Sequence, residues 1–200
     1  MDIDLEGKDA GRAYSLLVSL VTPRPIAWIT SVGTAGVVNA APFSFFNVLG
    51  DKPPIVGVCP GDRANGEPKD TARNIRESHE FVVNLVDEDL AEAMNQTSAS
   101  LPYGESEIDA AGLSTTPSAL VKPPRIAQAP ASLECLEWGT IQIGQNRLII
   151  GLVKRIYVRD DLYDPASKRI ISERFKVIGR MASPSWYCRT GDRFEMVRPP

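Results

Sequence analysis

Ile26-Ala27-Trp28-Ile29-Thr30-Ser31-Val32, Gly33-Thr34-Ala35-Gly36 and Val37-Val38-Asn39-Ala40-Ala41 follow one another without a break. The first run is rich in strand formers, the second carries two turn glycines, and the third resumes a strand, so the stretch reads as a β-hairpin. Upstream, Asp9 is placed to cap a short helix that puts Ala13, Leu16, Leu17 and Leu20 on one face, and Pro23 with Pro25 stops it. Downstream, an apolar run from Pro54 to Cys59 precedes a loop containing Gly, Asp and Pro, after which Asp70-Thr71 opens a helical stretch through His79. Phe81 to Val86 is a short strand, and the acidic cluster Asp87-Glu88-Asp89 suits the start of a further helix through Met94.

Residues 98–124 alternate Ser, Thr, Gly and Pro with few apolar positions and read as a long surface excursion of the kind that shapes a site. Ala131 to Ile143 and Arg147 to Val158 read as two long strands around Gly144-Gln145-Asn146. The tail from Phe175 to Met196 has no assignable pattern. Strands dominate without regular strand–helix alternation, which favours a mainly β fold, a mostly antiparallel barrel with helical insertions, over a doubly wound parallel sheet.

Composition narrows the function classes. The 200 residues fit one domain with a core of its own, 43% of them hydrophobic and 24% charged, far from the disordered regime. A net charge of -3 gives no attraction for nucleic acid. Cys59, Cys135 and Cys188 are widely spaced with no CxxC pair, so they read as small core side chains, and a single histidine, His79, makes a zinc site or a histidine-based triad improbable. His79 reads as a solvated helix-terminal residue. The acidic amino-terminal segment and the prolines that break the apolar stretch from Leu16 to Ile29 point to a cytoplasmic protein without a membrane span. There is no GxxxxGK[ST], GxGxxG after a strand, HExxH or GxSxG.

Three segments carry chemistry. Lys69-Asp70-Thr71 leads into a helix with Asn74 one turn on. Exposed amides at a helix start, an ammonium and a hydroxyl make a phosphate cradle, although Asp70 or Thr71 as a plain cap with Lys69 in solvent explains the same residues. In Asn39-Ala40-Ala41-Pro42-Phe43-Ser44-Phe45-Phe46-Asn47 a proline forbids a ladder donor, so the segment should sit at an edge or bulge with free backbone groups suited to a flat polar heterocycle such as an isoalloxazine, with Thr30 and Ser31 beside it. The competing reading is a bulged strand packing Phe43 and Phe45 into the core. In Gly179-Arg180 to Trp186-Tyr187, the aromatics read as core, interface or cofactor contacts.

Taken in order, Pro23 to Ser31, Asn39 to Asn47, Lys69-Asp70-Thr71, Phe81 to Leu85 and Gly179 to Tyr187 make the chain resemble the flavin reductase-like, FMN-binding split-barrel family. The resemblance implies a single domain over residues 1–200 and a six-stranded antiparallel Greek-key barrel, dimeric, with FMN near the subunit interface. It implies a ring site around Trp28, Thr30, Ser31, Asn39 and the Ala41-Pro42-Phe43-Ser44 backbone with Asn47, and a phosphate site at Ser44, Lys69, Asp70 and Thr71. It adds Arg180 and Tyr187 from the tail. It further implies hydride transfer from NADH or NADPH to FMN, delivery to a small-molecule acceptor or a monooxygenase partner, and chemistry carried by the flavin, with no catalytic side chain and no metal. One departure stands out. Where many reductases of this family have a Gly-Asp-His turn that helps to hold the nicotinamide, this chain has Gly144-Gln145-Asn146-Arg147, which leaves an FMN-binding electron-transfer protein without nicotinamide turnover as the alternative.

Overall fold

The structure is a computed structural model that describes residues 2–199. The hairpin that opens the reading is present: β1 (Ala27–Val32) pairs antiparallel with β2 (Val38–Phe43). After β2 the chain runs through Ser44 and Phe45 into β3 (Phe46–Asp51), which turns back into β4 (Pro54–Val58). Then come β5 (Glu80–Asn84), β6 (Ala131–Ile143) and β7 (Asn146–Val158).

These strands form one antiparallel sheet in the order β2-β1-β5-β6-β7-β4-β3. Its two outermost members, β2 and β3, are the two halves of one continuous segment broken only at Ser44-Phe45. Two residues span no more than about 7 Å, so the sheet curls until its edges meet. Counted with β2–β3 as one bent strand, the barrel has the six strands that the resemblance implies. The long β6–β7 hairpin supplies curvature through register shifts at Glu134/Cys135 and Glu137/Gly139.

Strand alternation divides the apolar residues between two cores. Ala27, Ile29, Phe81, Val83, Val56, Val58, Cys135 and Ile149 fill the barrel, and Ala72 and Ile75 of α2 (Asp70–Ser78) plug it. Trp28, Ala40, Val86, Met94, Ile108 and Ile126 form a second cluster on the outer face. Gly151 of β7 is required by this packing, since a Cβ there would lie 2.4 Å from Cζ of Phe81. Buried Asn84 ties the two cores together, donating to the Trp28 carbonyl at 3.0 Å and accepting from the Ile126 amide and the Ser132 hydroxyl at 2.9 Å each.

Several expectations change. The helix after Asp9 begins with a single 3-10 turn, Asp9 pairs with Arg12 at 3.0 Å instead of capping, and α1 (Ala13–Leu20) buries only Val18. Its apolar face is therefore open: Leu17, Leu20 and Val21 are 51%, 77% and 60% exposed. The excursion over 98–124 is not purely superficial, because α4 (Glu107–Ala110) lies against β2 with Ile108 buried, following α3 (Ala91–Gln96) in the chain. Of the three cysteines Cys135 is fully buried, while Cys59 and Cys188 are half-buried. The tail forms a small ribbon, β8 (Ile178–Arg180) with β9 (Tyr187–Arg189), joined to the barrel by backbone bonds between Arg24 and Arg180. No helix among the described residues is long and apolar enough to cross a membrane.

Candidate flavin-binding site

Lys69 precedes the first turn of α2 with extended backbone, and no side chain caps that turn. The plain-cap reading of Asp70 and Thr71 therefore fails. Asp70 instead takes both carboxylate oxygens to Arg63 Nη2 at 2.9 Å, and the Thr71 hydroxyl accepts from Asn39 Nδ2 at 3.0 Å. Free amides at a helix start attract anions. The Lys69 ammonium adds to this, sitting 5.5 Å from the centre of the Phe43 ring; burial, then the nearby Arg63, lower its pKa from the ordinary lysine value.

These groups open into a cavity of about 160 Å³. One wall is Asn39, Ala41, Pro42 and Phe43 of β2, the base is Arg63 with Lys69 to Thr71, and the far side is Thr97 to Leu101 after α3, with Glu107 of α4. Of the residues expected at the site, this cavity brings together Asn39, Ala41, Pro42, Phe43, Lys69, Asp70 and Thr71.

Others lie elsewhere. Trp28, Thr30 and Ser31 are fully buried, and their polar atoms are engaged within the protein: Trp28 Nε1 donates to the Thr97 hydroxyl at 2.8 Å, Thr30 donates to the Pro124 carbonyl at 2.5 Å, and Ser31 accepts from Asn74 Nδ2 at 3.2 Å. They are the frame behind the cavity. Ser44 and Asn47 line a separate apolar groove of about 450 Å³ with Leu17, Val21, Phe45 and Leu49, where the Ser44 hydroxyl accepts from Arg24 Nε at 3.3 Å. Arg180 and Tyr187 stack on each other at 4.6 Å in the tail ribbon next to Arg24.

Residues that sequence reasoning missed are Arg63, the Thr97–Leu101 loop and Glu107. Glu107 is 5% exposed and accepts the Ala40 amide at 3.0 Å. Burial raises its pKa above the ordinary glutamate value, against the lowering effect of that hydrogen bond.

The profile of the family described as "Flavin reductase like domain" matches residues 19–187. The chain belongs to this flavin reductase-like family. Among solved structures it is similar to nitrilotriacetate monooxygenase component B from Bacillus cereus, 37% identical with a TM-score of 0.92 and 98% of each chain covered. It is also similar to the 2-nitrobenzoate 2-nitroreductase NbaA of Pseudomonas fluorescens, 36% identical with a TM-score of 0.90, covering 100% of this chain and 96% of that one. A Shewanella frigidimarina NCIMB 400 protein with a flavin reductase split barrel domain, 20% identical, superposes over 100% of both chains with a TM-score of 0.84 and shows the same fold. The mainly β split barrel and a flavin-related oxidoreductase chemistry follow from this membership.

The lining sets the cations Arg63 and Lys69 beside the carboxyls of Asp70 and Glu107. The lining supplies one unpaired ammonium, free helix amides, a hydroxyl held by Asn39, and carbonyls along the outward edge of β2.

Proposed function

We propose that the cavity at the start of α2 holds the phosphate end of FMN and that the chain is an NAD(P)H-dependent flavin reductase. The observation that carries this reading is the uncapped first turn of α2 beside Lys69 and the Asn39-held Thr71, an arrangement complementary to a phosphate monoester. Lys69, Thr71 and the first amides of α2 would hold the phosphate, and the Asn39–Phe43 edge would orient the ring. When bound, FMN supplies the redox chemistry, accepting a hydride from the nicotinamide and passing electrons to a second acceptor. The protein's part is to bind, orient and exclude water, and no catalytic side chain is assigned.

A cavity of about 160 Å³ is small against the roughly 300–1,000 Å³ of ordinary ligand pockets. In our reading a second copy of the chain completes it. The exposed Leu17, Leu20 and Val21 and the adjoining apolar groove that contains Ser44 and Asn47 supply a face for such a homodimer. Within one chain those two residues stand apart from Lys69, so their role, with that of Arg180 and Tyr187, is proposed as completing the site across the dimer. The similarity to a monooxygenase component B supports delivery of reduced flavin to a monooxygenase partner.

Asn146 favours a second reading. It begins β7 directly after the turn, and its backbone bridges to Gly61, so the turn offers no imidazole for a nicotinamide. An FMN-binding electron-transfer protein without nicotinamide turnover keeps every feature of the phosphate site. Steady-state oxidation of NADH and NADPH by purified protein with added FMN separates the two. Turnover supports the reductase, and tight FMN binding with no turnover leaves the electron-transfer protein.

A further inference from the structure

β2 bonds to β1 along one side only, and α4 lies against the other. In an antiparallel strand the N–H and C=O of one residue point to the same side, and this side alternates along the chain. Ala40 therefore carries the last outward N–H before Pro42, which has none. Glu107 Oε2 accepts that Ala40 N–H at 3.0 Å, while the neighbouring Ser106 hydroxyl donates to the Val38 carbonyl at 2.8 Å. The flavin-facing edge of β2 is thus held by two side chains of one loop, and one of them is ionisable and lines the same cavity as Lys69 and Thr71.

Resting on the FMN reading above, we infer that Glu107 is a positioning residue of the flavin pocket whose carboxyl holds the β2 edge and sets the charge that an anionic flavin meets there. The groups that face it define the balance. Asp70 of α2 opposes its ionisation, Arg63 favours it, and the two are themselves paired at 2.9 Å. Lys69 lies in the same lining. Burial holds the carboxyl above the ordinary glutamate range, so the pocket gains a negative charge only as pH rises through that raised value. A phosphate monoester brings close to two negative charges of its own. Its affinity should therefore be highest with Glu107 protonated and fall as Glu107 ionises, and by reciprocity FMN binding should draw a proton onto the carboxyl.

The test is the dissociation constant of FMN and of riboflavin, read by fluorescence quenching between pH 5 and 9, for wild type, Glu107→Gln and Glu107→Ala. The glutamine oxygen still accepts the Ala40 N–H but carries no charge. Wild type and Glu107→Gln should agree at the acid end and diverge as pH rises, until the variant binds FMN about tenfold more tightly, the equivalent of one pKa unit of coupling. The second ionisation of FMN, at about pH 6, adds to the divergence, because the dianion meets an ionised Glu107 with more charge than the monoanion does. Riboflavin, which has no phosphate, should show a ratio near one throughout. Relative to Glu107→Gln, Glu107→Ala should weaken both flavins at every pH, because the Ala40 N–H loses its acceptor while the charge is absent from both variants. Parallel FMN profiles for wild type and Glu107→Gln overturn the charge role even if the alanine variant does not fold, and an alanine variant that binds riboflavin as well as Glu107→Gln does overturns the positioning role. A wild type that binds neither flavin removes the reading of the pocket itself, an outcome distinct from either.

Discussion

Helix α2 has a cavity on each side, and the two differ in a way that size does not reveal. The larger, about 820 Å³, lies between the later turns of α2 and the β6–β7 hairpin. Most of its charged groups are engaged: Arg147 meets Asp62 at 2.6 Å, His79 meets Glu137 at 2.7 Å and Arg73 lies 4.5 Å from the Tyr103 ring centre, while Arg76 is exposed to solvent. The smaller, about 160 Å³, has, among the described residues, an ammonium in no ion pair and a helix start without a side-chain cap. Recognition of a phosphate favours donors that the fold has left free and partly desolvated; the smaller side sets such an ammonium beside a helix start, whereas the free guanidinium of Arg76 on the larger side stands in solvent. His79 illustrates the point. It closes α2 in the left-handed conformation at φ 58, solvated with its side chain 70% exposed, and pairs with Glu137.

The sharpest way to break this contrast is to remove the free donors. Lys69→Ala combined with Thr71→Ala should weaken FMN by on the order of 100-fold, from about 3 kcal/mol of charge-assisted contact, and riboflavin by about threefold at most. Isothermal titration with both flavins checks it, and equal losses would place the phosphate elsewhere. Next in size is the pH effect of Lys69. Its lowered pKa means that the protonated, phosphate-binding form is lost as pH rises through a value below the ordinary lysine 10.5. FMN affinity should therefore drop about tenfold on that alkaline limb, and Lys69→Arg should retain it there, because a guanidinium stays charged. Asn39→Ala should cost about fivefold in FMN affinity, the worth of one neutral hydrogen bond that fixes the Thr71 hydroxyl. Arg76→Ala, on the far side of α2, should change FMN affinity by less than about twofold, as expected of a solvated charge outside the site. A loss there comparable to that of the Lys69 and Thr71 pair would reverse the contrast.

The barrel was legible where strand signals are strong and local. The β1–β2 hairpin, the β6–β7 hairpin and β5 follow from runs of strand formers and turn glycines, and Pro42 marks an edge. Closure of the sheet was not legible from these signals, because it depends on the two-residue break at Ser44-Phe45, which no periodicity marks. On the site side, Lys69, Thr71 and Asn39 stand out as donors in the sequence and meet in the structure. Thr30 and Ser31 look equally suitable on paper, but alternation turns them into the buried network with Asn84 and Asn74. Glu107 escaped notice because a four-residue helix is too short to show a 3.6-residue period, and its partner Ala40 is 67 residues away in sequence. The open face of α1 has the opposite history: its apolar spacing is plain, but the described residues leave that face uncovered.

A crystal structure of the protein with FMN would test the central claim most directly. The phosphate should lie within hydrogen-bond distance of Lys69 Nζ and of the first amides of α2, with the ring along the Asn39–Phe43 edge. A phosphate lodged instead among Arg76, Arg147 and His79 in the larger cavity would contradict it.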